Sequence, residues 1–569
     1  MTAPPDRRPS SATRRPHLTS RATFARDLLA GITVGVAQVG NTMAYAILAG
    51  VPPVHGLYAA MTGTPVSALG QGSQRMTSVP TAALCLAAGA ALMGLPADRR
   101  VAGLLVLTVL TGIVMLAAGL LRAGVLVRFI EDSVMAGFMA GVSVQIVLGQ
   151  LAAFTGADGD ERNKARAAAH VLGNLAEVDP ATLLTGVAAV ALILVLRRSR
   201  ARLFAMATSL VVVTAAVAAL GLSVDVVGDI APIPRSLPAP HLPDLALVPG
   251  LLVPALSLAI IGLVQAAGIR ATVPNADGRL GDQDRDFVGQ GAGNIVAGLF
   301  GGAALGGSVN ATALNVGAGS RTRWSSVFAG AVVIVVVLAA APLVEQVPLA
   351  VTAGILMVAA VSMLDLRAVS DIWRAERTSA IVMVATFVLV LVIPLQYAVL
   401  VGAALSVIKH LYLSSLDTRV VRIEIGDDGR PRESADPPVL SDEDVTVLDI
   451  YGSTFFGAVP GIREALPAAG QARCAVVVLR LRGRQALQSS MIALIRDYAA
   501  ELAAGGGRLY LAGVDPQMRE QLRRTGLLDE LGPDAVVQAS DEFYGSCELA
   551  QRRGREWLRE HPGEPGGGA

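Results

Sequence analysis

Charge is scarce in this chain. Of its 569 residues only 16% are Asp, Glu, Lys or Arg, while 53% are hydrophobic. A soluble domain runs nearer a quarter charged, so most of this chain is not built to face water. Lysine is almost missing: Lys164 and Lys409 stand among 46 basic residues. That bias, with the abundance of Ala, Gly and Val, points to a GC-rich bacterial genome. Cysteine is rare too. Cys85, Cys474 and Cys547 lie far apart, which leaves no CxxC pair and no zinc set. A net charge of +1 without a basic stripe removes nucleic acid as a partner. No GxxxxGK(S/T) loop occurs, and no Ser/His/Asp, metal or cofactor constellation is visible. The sequence reads as a non-enzyme with no cofactor. Residues 1–23 hold no apolar segment ahead of a cleavage site. Basic and rich in Pro and Ser, they are expected to form a disordered cytoplasmic tail.

What is abundant is apolar sequence. Between Leu28 and Leu413 it falls into fourteen segments: 28–49, 56–70, 79–94, 101–121, 133–154, 181–197, 204–221, 251–270, 287–301, 310–320, 325–342, 348–364, 378–394 and 396–412. A span needs roughly 20 residues, and several of these are shorter. An even number puts both termini on one side. Loops on that side hold fifteen arginines, against six arginines or lysines opposite. Both termini are therefore expected in the cytoplasm. None of the fourteen segments contains Asp or Glu. Intramembrane charge usually marks an ion pathway, and here the middle of the membrane region reads as uncharged. The external loop 222–250 carries six prolines and should be semi-rigid.

Beyond Leu413 the texture changes. "VTVLDIYG" (445–452), "CAVVVLRLRG" (474–483) and "RLYLAGV" (508–514) read as buried strands. Amphipathic stretches alternate with them, which predicts a small cytoplasmic α/β domain over roughly 418–550. The ending "EHPGEPGGGA" reads as disordered.

One stretch is too polar and too short for a span: "SVNATALNVGAG", residues 308–319. Residues 78–89 read "SVPTAALCLAAG". At an offset of 230 six of twelve positions are identical, Ser78/Ser308 and Val79/Val309 among them. Such an offset predicts two halves of seven spans each. Seven is odd, so the second half must be inverted, and inverted repeats with short broken helices are a transporter signature. A helix N-terminus presents unpaired N–H groups and a positive dipole end, an anion site that needs no charged side chain. Pro80 suits the first turn of its helix. Thr77, Ser78 and Ser308 are candidate caps or ligands.

Several blocks then resemble a known family. "DLLAGITVGVAQVGNTMAYAILAGVPPVHGLYAA" (27–60) is similar to the first two spans of the sulfate permease (SulP) family, bacterial relatives of mammalian anion exchangers that include prestin. "EDSVMAGFMAGVSVQI" (131–146) and "NVGAGSRTRWSSVFAG" (315–330) resemble further family segments. The C-terminal region resembles a STAS domain. The resemblance implies a polytopic α-helical membrane protein of fourteen spans in two inverted seven-span repeats, followed by a cytoplasmic α/β STAS domain. In these terms the chain divides into 1–23 (tail), 24–415 (transport domain), 416–550 (STAS-like domain) and 551–569 (C-terminal tail). It implies a homodimer in the cell membrane whose core, spans 1–4 and 8–11, moves like an elevator against a gate of spans 5–7 and 12–14. The implied substrate site lies between the starts of spans 3 and 10: Ser78, Val79, Pro80 and Thr81 on one side, Ser308, Val309, Asn310, Ala311 and Thr312 on the other. Gln38, Asn41 and Tyr45 of span 1 and Gln265 of span 8 face it.

The departures are informative. Many family members carry Glu or Asp where this chain has Gln265, and Arg where it has Ala311. Losing both charges is the self-consistent change, because one unpaired buried charge is costly. A carboxylate that could bind sodium or carry a proton is gone, and a divalent anion has less compensation. The expectation is a uniporter or exchanger of a small inorganic anion such as sulfate, bicarbonate, chloride or nitrate, tilted towards a monovalent one. The alternatives are a carrier of a neutral or weakly acidic organic solute, such as a nucleobase or dicarboxylate, and a transport-degenerate sensor signalling through STAS to a cytoplasmic protein partner. In STAS relatives an Asp-Ser-(Ser/Thr) turn offers a phosphorylatable serine. Here the turn reads Gln488-Ser489-Ser490, without the Asp, so Ser489 is expected to cap a helix and remains a candidate regulatory position.

Overall fold

A computed structural model describes residues 21–125, 131–157, 164–199, 202–425, 430–434, 439–469, 472–484 and 486–561. The expected tail is outside this range up to residue 20, as is the ending beyond residue 561. The chain divides into two compact units, Met1–Ser406 and Val407–Ala569.

In the first unit a helix lies in each of the fourteen apolar segments. The first half runs α1 (Arg21–Leu48), α2 (Val54–Tyr58), a π-turn (Ala59–Gly63), α3 (Thr64–Gly70), β1 (Ser78–Pro80), α4 (Ala82–Leu92) and α5 (Arg100–Leu120). Next come α6 (Asp132–Thr155), α7 (Lys164–Gly173), α8 (Pro180–Arg197), α9 (Ala205–Leu220) and α10 (Val227–Ile230). The second half holds α11 (Val248–Thr272), α12 (Gln283–Leu299), β2 (Leu305–Gly307), α13 (Val309–Gly317) and α14 (Trp324–Glu345). It ends with α15 (Leu349–Ser362), α16 (Leu366–Ala375), α17 (Arg377–Val392) and α18 (Leu395–Leu416). Eight of the described helices are long and apolar enough to cross a membrane.

Small residues decide how these helices approach, as they do wherever lipid removes the hydrophobic drive. On α5, a Cβ at Gly112 would lie 2.6 Å from the Ile295 N–H nitrogen and one at Gly119 2.6 Å from the Asp284 carbonyl. Gly298 on α12 answers with Val109 of α5. Only glycine permits that backbone contact. The same holds for Gly56, where a Cβ would overlap the Thr42 carbonyl of α1. Gly56→Ala is expected to cost about 3 kcal/mol and to leave little monodisperse protein in size-exclusion chromatography. Kinks have local causes: Pro342 inside α14 bends the helix at Ala340, whose φ/ψ of −125°/16° is not helical.

Two carboxylates refine the sequence reading. Asp27 and Asp286 sit one residue outside the apolar segments, yet both are fully buried, Asp27 in the second turn of α1 and Asp286 in the first turn of α12. Asp286 accepts from the N–H and hydroxyl of Ser73, at 2.7 and 2.6 Å. Asp27 accepts from the Arg321 and Thr322 N–H groups at 2.6 and 3.1 Å. Each clamps a loop across the two halves.

The second unit holds a six-stranded sheet of order β4-β3-β5-β6-β7-β8. Its strands are β3 (Thr418–Ile425), β4 (Pro431–Glu433), β5 (Val445–Gly452), β6 (Val476–Arg480), β7 (Arg508–Val514) and β8 (Val536–Gln538). β5 to β8 are parallel, and β3 and β4 are an antiparallel extension. The helices α19 (Val459–Ala465), α20 (Ser489–Ala504), α21 (Pro516–Arg524), α22 (Leu527–Leu531) and α23 (Gly545–Glu560) accompany it. Residues 551–560, expected as tail, continue α23, which buries Ala550, Gln551 and Gly554. Ser489 is the first helical residue of α20 and exposed, and Gln488 takes the N-cap position. Ser489 is therefore not the expected cap. The Gln488 side chain turns away instead, accepting from the Phe456 N–H at 3.1 Å.

Candidate functional site

The two matching stretches meet. β1 and β2 pair antiparallel, Ser78 with Gly307, Val79 with Gly306 and Pro80 with Leu305. Each strand leads directly into a short helix. Thr81 caps α4, its hydroxyl accepting from the Leu84 N–H, and Ser308 caps α13, accepting from the Ala311 N–H at 3.2 Å. Equivalent positions are thus Thr81 and Ser308, a shift of 227. The ungapped match at 230 had slipped by three residues, almost one helical turn.

Pro80 is not in the first helical turn but at the end of β1. The ladder tolerates a residue with no N–H there, because both backbone groups of its partner Leu305 are taken by Asn294. Asn294 Nδ2 donates to the Leu305 carbonyl at 2.8 Å, and the Leu305 N–H donates to Asn294 Oδ1 at 2.9 Å. Under the 227 shift Leu305 corresponds to Ser78, whose carbonyl accepts from the Thr64 hydroxyl at 2.8 Å. Each strand is therefore held by a polar side chain from the helix before it.

The half-helices leave their first-turn amides as fixed donors. The caps occupy one N–H on each side, so Ala82 and Ala83 on α4, and Val309 and Asn310 on α13, still offer theirs. Gln265 of α11 stands beside them, its Oε1 accepting from the Thr81 hydroxyl at 3.3 Å. Gln38 of α1 is buried, and its Oε1 has no partner. Asn41 is buried on the same helix, and Asn310 is half-buried at the start of α13. No side chain in this group carries charge.

The side chains of other expected site residues are engaged or placed elsewhere. The Ser78 hydroxyl donates to Gln71 Oε1 at 2.8 Å and is no cap. Thr312 is buried and accepts from the Thr77 N–H at 3.0 Å. The Thr77 hydroxyl meets that of Ser326 at 3.1 Å, so Thr77 is no cap either. Val79 and Ala311 are buried apolar positions, Tyr45 sits in an apolar cluster with Leu84 and Cys85, and Val309 is 66% exposed. Sequence reading missed Asn294, Thr64 and Gln71. All three are polar residues inside or beside apolar segments, and their place next to the matched stretches was the available signal.

Comparison with known proteins follows this architecture. The sequence profile of the sulfate permease family matches residues 24–386, and that of the STAS domain matches 436–542. The chain is 28% identical to the putative sulfate transporter YvdB of Bacillus subtilis, over 92% of this chain and 97% of that one. It is 27% identical to the bicarbonate transporter BicA of Synechocystis, over 82% and 83% of the two chains. Its fold matches murine Slc26a9, an anion transporter solved in the inward-facing state, with TM-score 0.82 over 94% of this chain and 92% of that one, at 19% identity. The transmembrane domain of a cyanobacterial BicA matches with TM-score 0.60 at 27% identity, over 68% of this chain and 98% of that one. The profile match spans more than half the chain and the paired half-helices agree with it: this multi-pass membrane protein belongs to the sulfate permease family, a family of transporters rather than enzymes, and carries a STAS domain.

Proposed function

We propose that this protein is a secondary transporter of small inorganic anions, of the sulfate, bicarbonate, chloride or nitrate class, working by elevator-type alternating access. The observation that carries the reading is the meeting of two capped helix N-termini at one pair of strands. Their free amides and dipole ends form positive poles fixed in the fold, where an anion can rest without a cationic side chain. The names of the relatives, sulfate and bicarbonate transporters, agree with it.

The fourteen helical segments are read as two inverted seven-span repeats. Support comes from the 227 shift, which carries β1 onto β2, Thr81 onto Ser308, and Arg21, the first residue of α1, onto Val248, the first of α11. It also maps the strand pairing onto itself, Val79 facing Gly306 at the centre. The core comprises α1 to α5 and α11 to α14, and the gate α6 to α9 and α15 to α18. A small apolar pocket lies where α6 and α18 meet α11, lined by Val134, Met135 and Phe138 of α6, Ile260, Ile261 and Val264 of α11, and Val399 and Ala403 of α18. Apolar contact of this kind lets one body slide past the other without breaking hydrogen bonds there. Both termini are placed in the cytoplasm and the unit is a homodimer.

Within the site, Thr81, Gln265, Ser308, Asn310, Asn41 and Gln38 supply hydroxyls and carboxamides around the amides. Gln265 has no titratable proton and no charge, so transport is not coupled through that position. A monovalent anion matches the uncharged surroundings best. The test is purified protein in liposomes, with gradient-driven flux of sulfate, bicarbonate, chloride and nitrate measured one by one. Absence of flux for all four, under every gradient, ends this reading. Thr81→Val removes both the α4 cap, about 1 kcal/mol, and the bond to Gln265. It is expected to raise the half-saturation concentration of the transported anion about fivefold in protein that still folds.

A further inference from the structure

The other end of α13 holds three buried polar atoms without partners, gathered around one loop. Asn315, in the last turns of α13, is fully buried. Its Nδ2 donates to the Arg75 carbonyl at 3.0 Å. That bond fixes the orientation of the carboxamide and leaves Oδ1 an acceptor with nothing to accept. Ser320 follows the helix and is 1% exposed; its N–H donates to the Asn315 carbonyl at 3.1 Å, but its hydroxyl has no partner. Arg75 contributes the third atom, a buried Nε without a partner. An unsatisfied buried polar group costs about 1–3 kcal/mol, so three on residues joined by hydrogen bonds call for a ligand.

Charge says which kind. Arg75 and Arg321 flank Asn315, the first through its carbonyl, the second next to Ser320. Burial and the nearby Arg321 charge hold the Arg75 guanidinium below its ordinary pKa. Among the described residues neither guanidinium is in an ion pair. The Arg75 Nη1 reaches only the Pro274 carbonyl, at 3.4 Å. The carboxylate beside Arg321 is Asp27, and it is turned to backbone N–H groups and the Thr322 hydroxyl. The helix C-terminus is a negative pole, which the two guanidiniums offset; three of its last carbonyls, of Leu314, Asn315 and Val316, are already engaged by the N–H groups of Ala318, Ser320 and Gly319.

We infer that this loop is a second anion site, separate from the strand-paired one, which takes an oxyanion bearing its own proton, such as bicarbonate. Arg75 and Arg321 supply the charge, Arg75 Nε and the Ser320 hydroxyl donate, and Asn315 Oδ1 accepts the anion's O–H. Two guanidiniums exclude a cation. Sulfate, which has no proton at neutral pH, leaves Asn315 Oδ1 facing a negative oxygen. A lipid phosphodiester fails in the same way.

Isothermal titration of the purified full-length protein tests this, with bicarbonate and sulfate as probes. Wild type is expected to bind a second bicarbonate per chain that sulfate does not displace. Arg75→Gln should lose that second class and keep the first. Ser320→Ala removes a hydroxyl that holds nothing in the fold, so it should fold normally and weaken the second class about fivefold. Thr81→Asp, which places a carboxylate at the cap of α4, should remove the first class and leave the second. Undiminished second-class binding in both Arg75→Gln and Ser320→Ala overturns the site, as does equal occupancy by sulfate. A single class that Thr81→Asp abolishes would also overturn it, while leaving the transport reading intact. No binding in wild type overturns both.

Discussion

Asn294→Leu is expected to abolish anion flux. The leucine is close in volume and stays apolar, but it strips both backbone groups of Leu305 of their partners. Each is buried, and each lost bond costs about 1–3 kcal/mol, so the site should lose about 2–5 kcal/mol in total. The consequence falls on β2, which aims the start of α13. With β2 released, the start of α13 is no longer held by the strand pairing beside the start of α4. Thr64→Val is the graded control. It removes one bond, from the Thr64 hydroxyl to the Ser78 carbonyl, and should slow flux without ending it. The check is liposome flux on both variants, alongside their thermal midpoints. Equal, wild-type flux in both would mean the strand pair does not position the site.

The second large effect lies in the STAS domain. Asp449 on β5 and Arg480 on β6 form an ion pair at 2.5 Å, both nearly sealed from water. Arg480→Met leaves the carboxylate buried without its ion-pair partner, with only the Arg484 charge nearby, at a cost of about 3–5 kcal/mol. Replacing both, Asp449→Leu with Arg480→Met, removes the charges together and should come within about 1.5 kcal/mol of wild type. Burial already raises the Asp449 pKa, against the pull of Arg480. A carboxyl raised in the folded state favours folding at low pH, and that favour is lost as pH rises through its folded pKa. The single variant should therefore be least stable at neutral pH and recover on acidification. Unfolding of the full chain carrying Trp324→Phe and Trp373→Phe, followed by Trp557 emission at several pH values, measures this. A single variant no weaker than the double would contradict it.

The sequence disclosed the helices because lipid-facing and buried faces alike demand apolar residues, and each apolar segment holds helix, segment 56–70 broken by a π-turn. It disclosed β5, β6 and β7 for the same reason. It did not disclose β4, "PRE", which is polar and exposed, nor β8, three residues at the edge of the sheet. β3, "TRVVRIEI", alternates weakly and is half-buried. The repeat was visible, but its register was not. Identity between Ala-rich helices aligns packing faces, whereas function depends on where the helices start, and the caps Thr81 and Ser308 mark that. The roles of Asn294 and Gln71 were not legible, although their place beside the matched stretches was, because their work is to satisfy backbone groups brought close only by the fold. Asp27 and Asp286 were missed by one residue, since hydropathy ends a segment at the first charge even when the helix and the burial continue.

The central claim is that an anion rests on the facing amide ends of α4 and α13 without a charged side chain. Thr81→Asp tests it most directly. Aspartate is a good N-cap, so the helix should form, but its carboxylate lies where the anion would. In a thermal-shift titration, wild type should gain stability saturably with the transported anion. Thr81→Asp should be folded and lose the anion response assigned to this site. If it keeps that response at the same concentrations, the anion is bound elsewhere and the account is wrong.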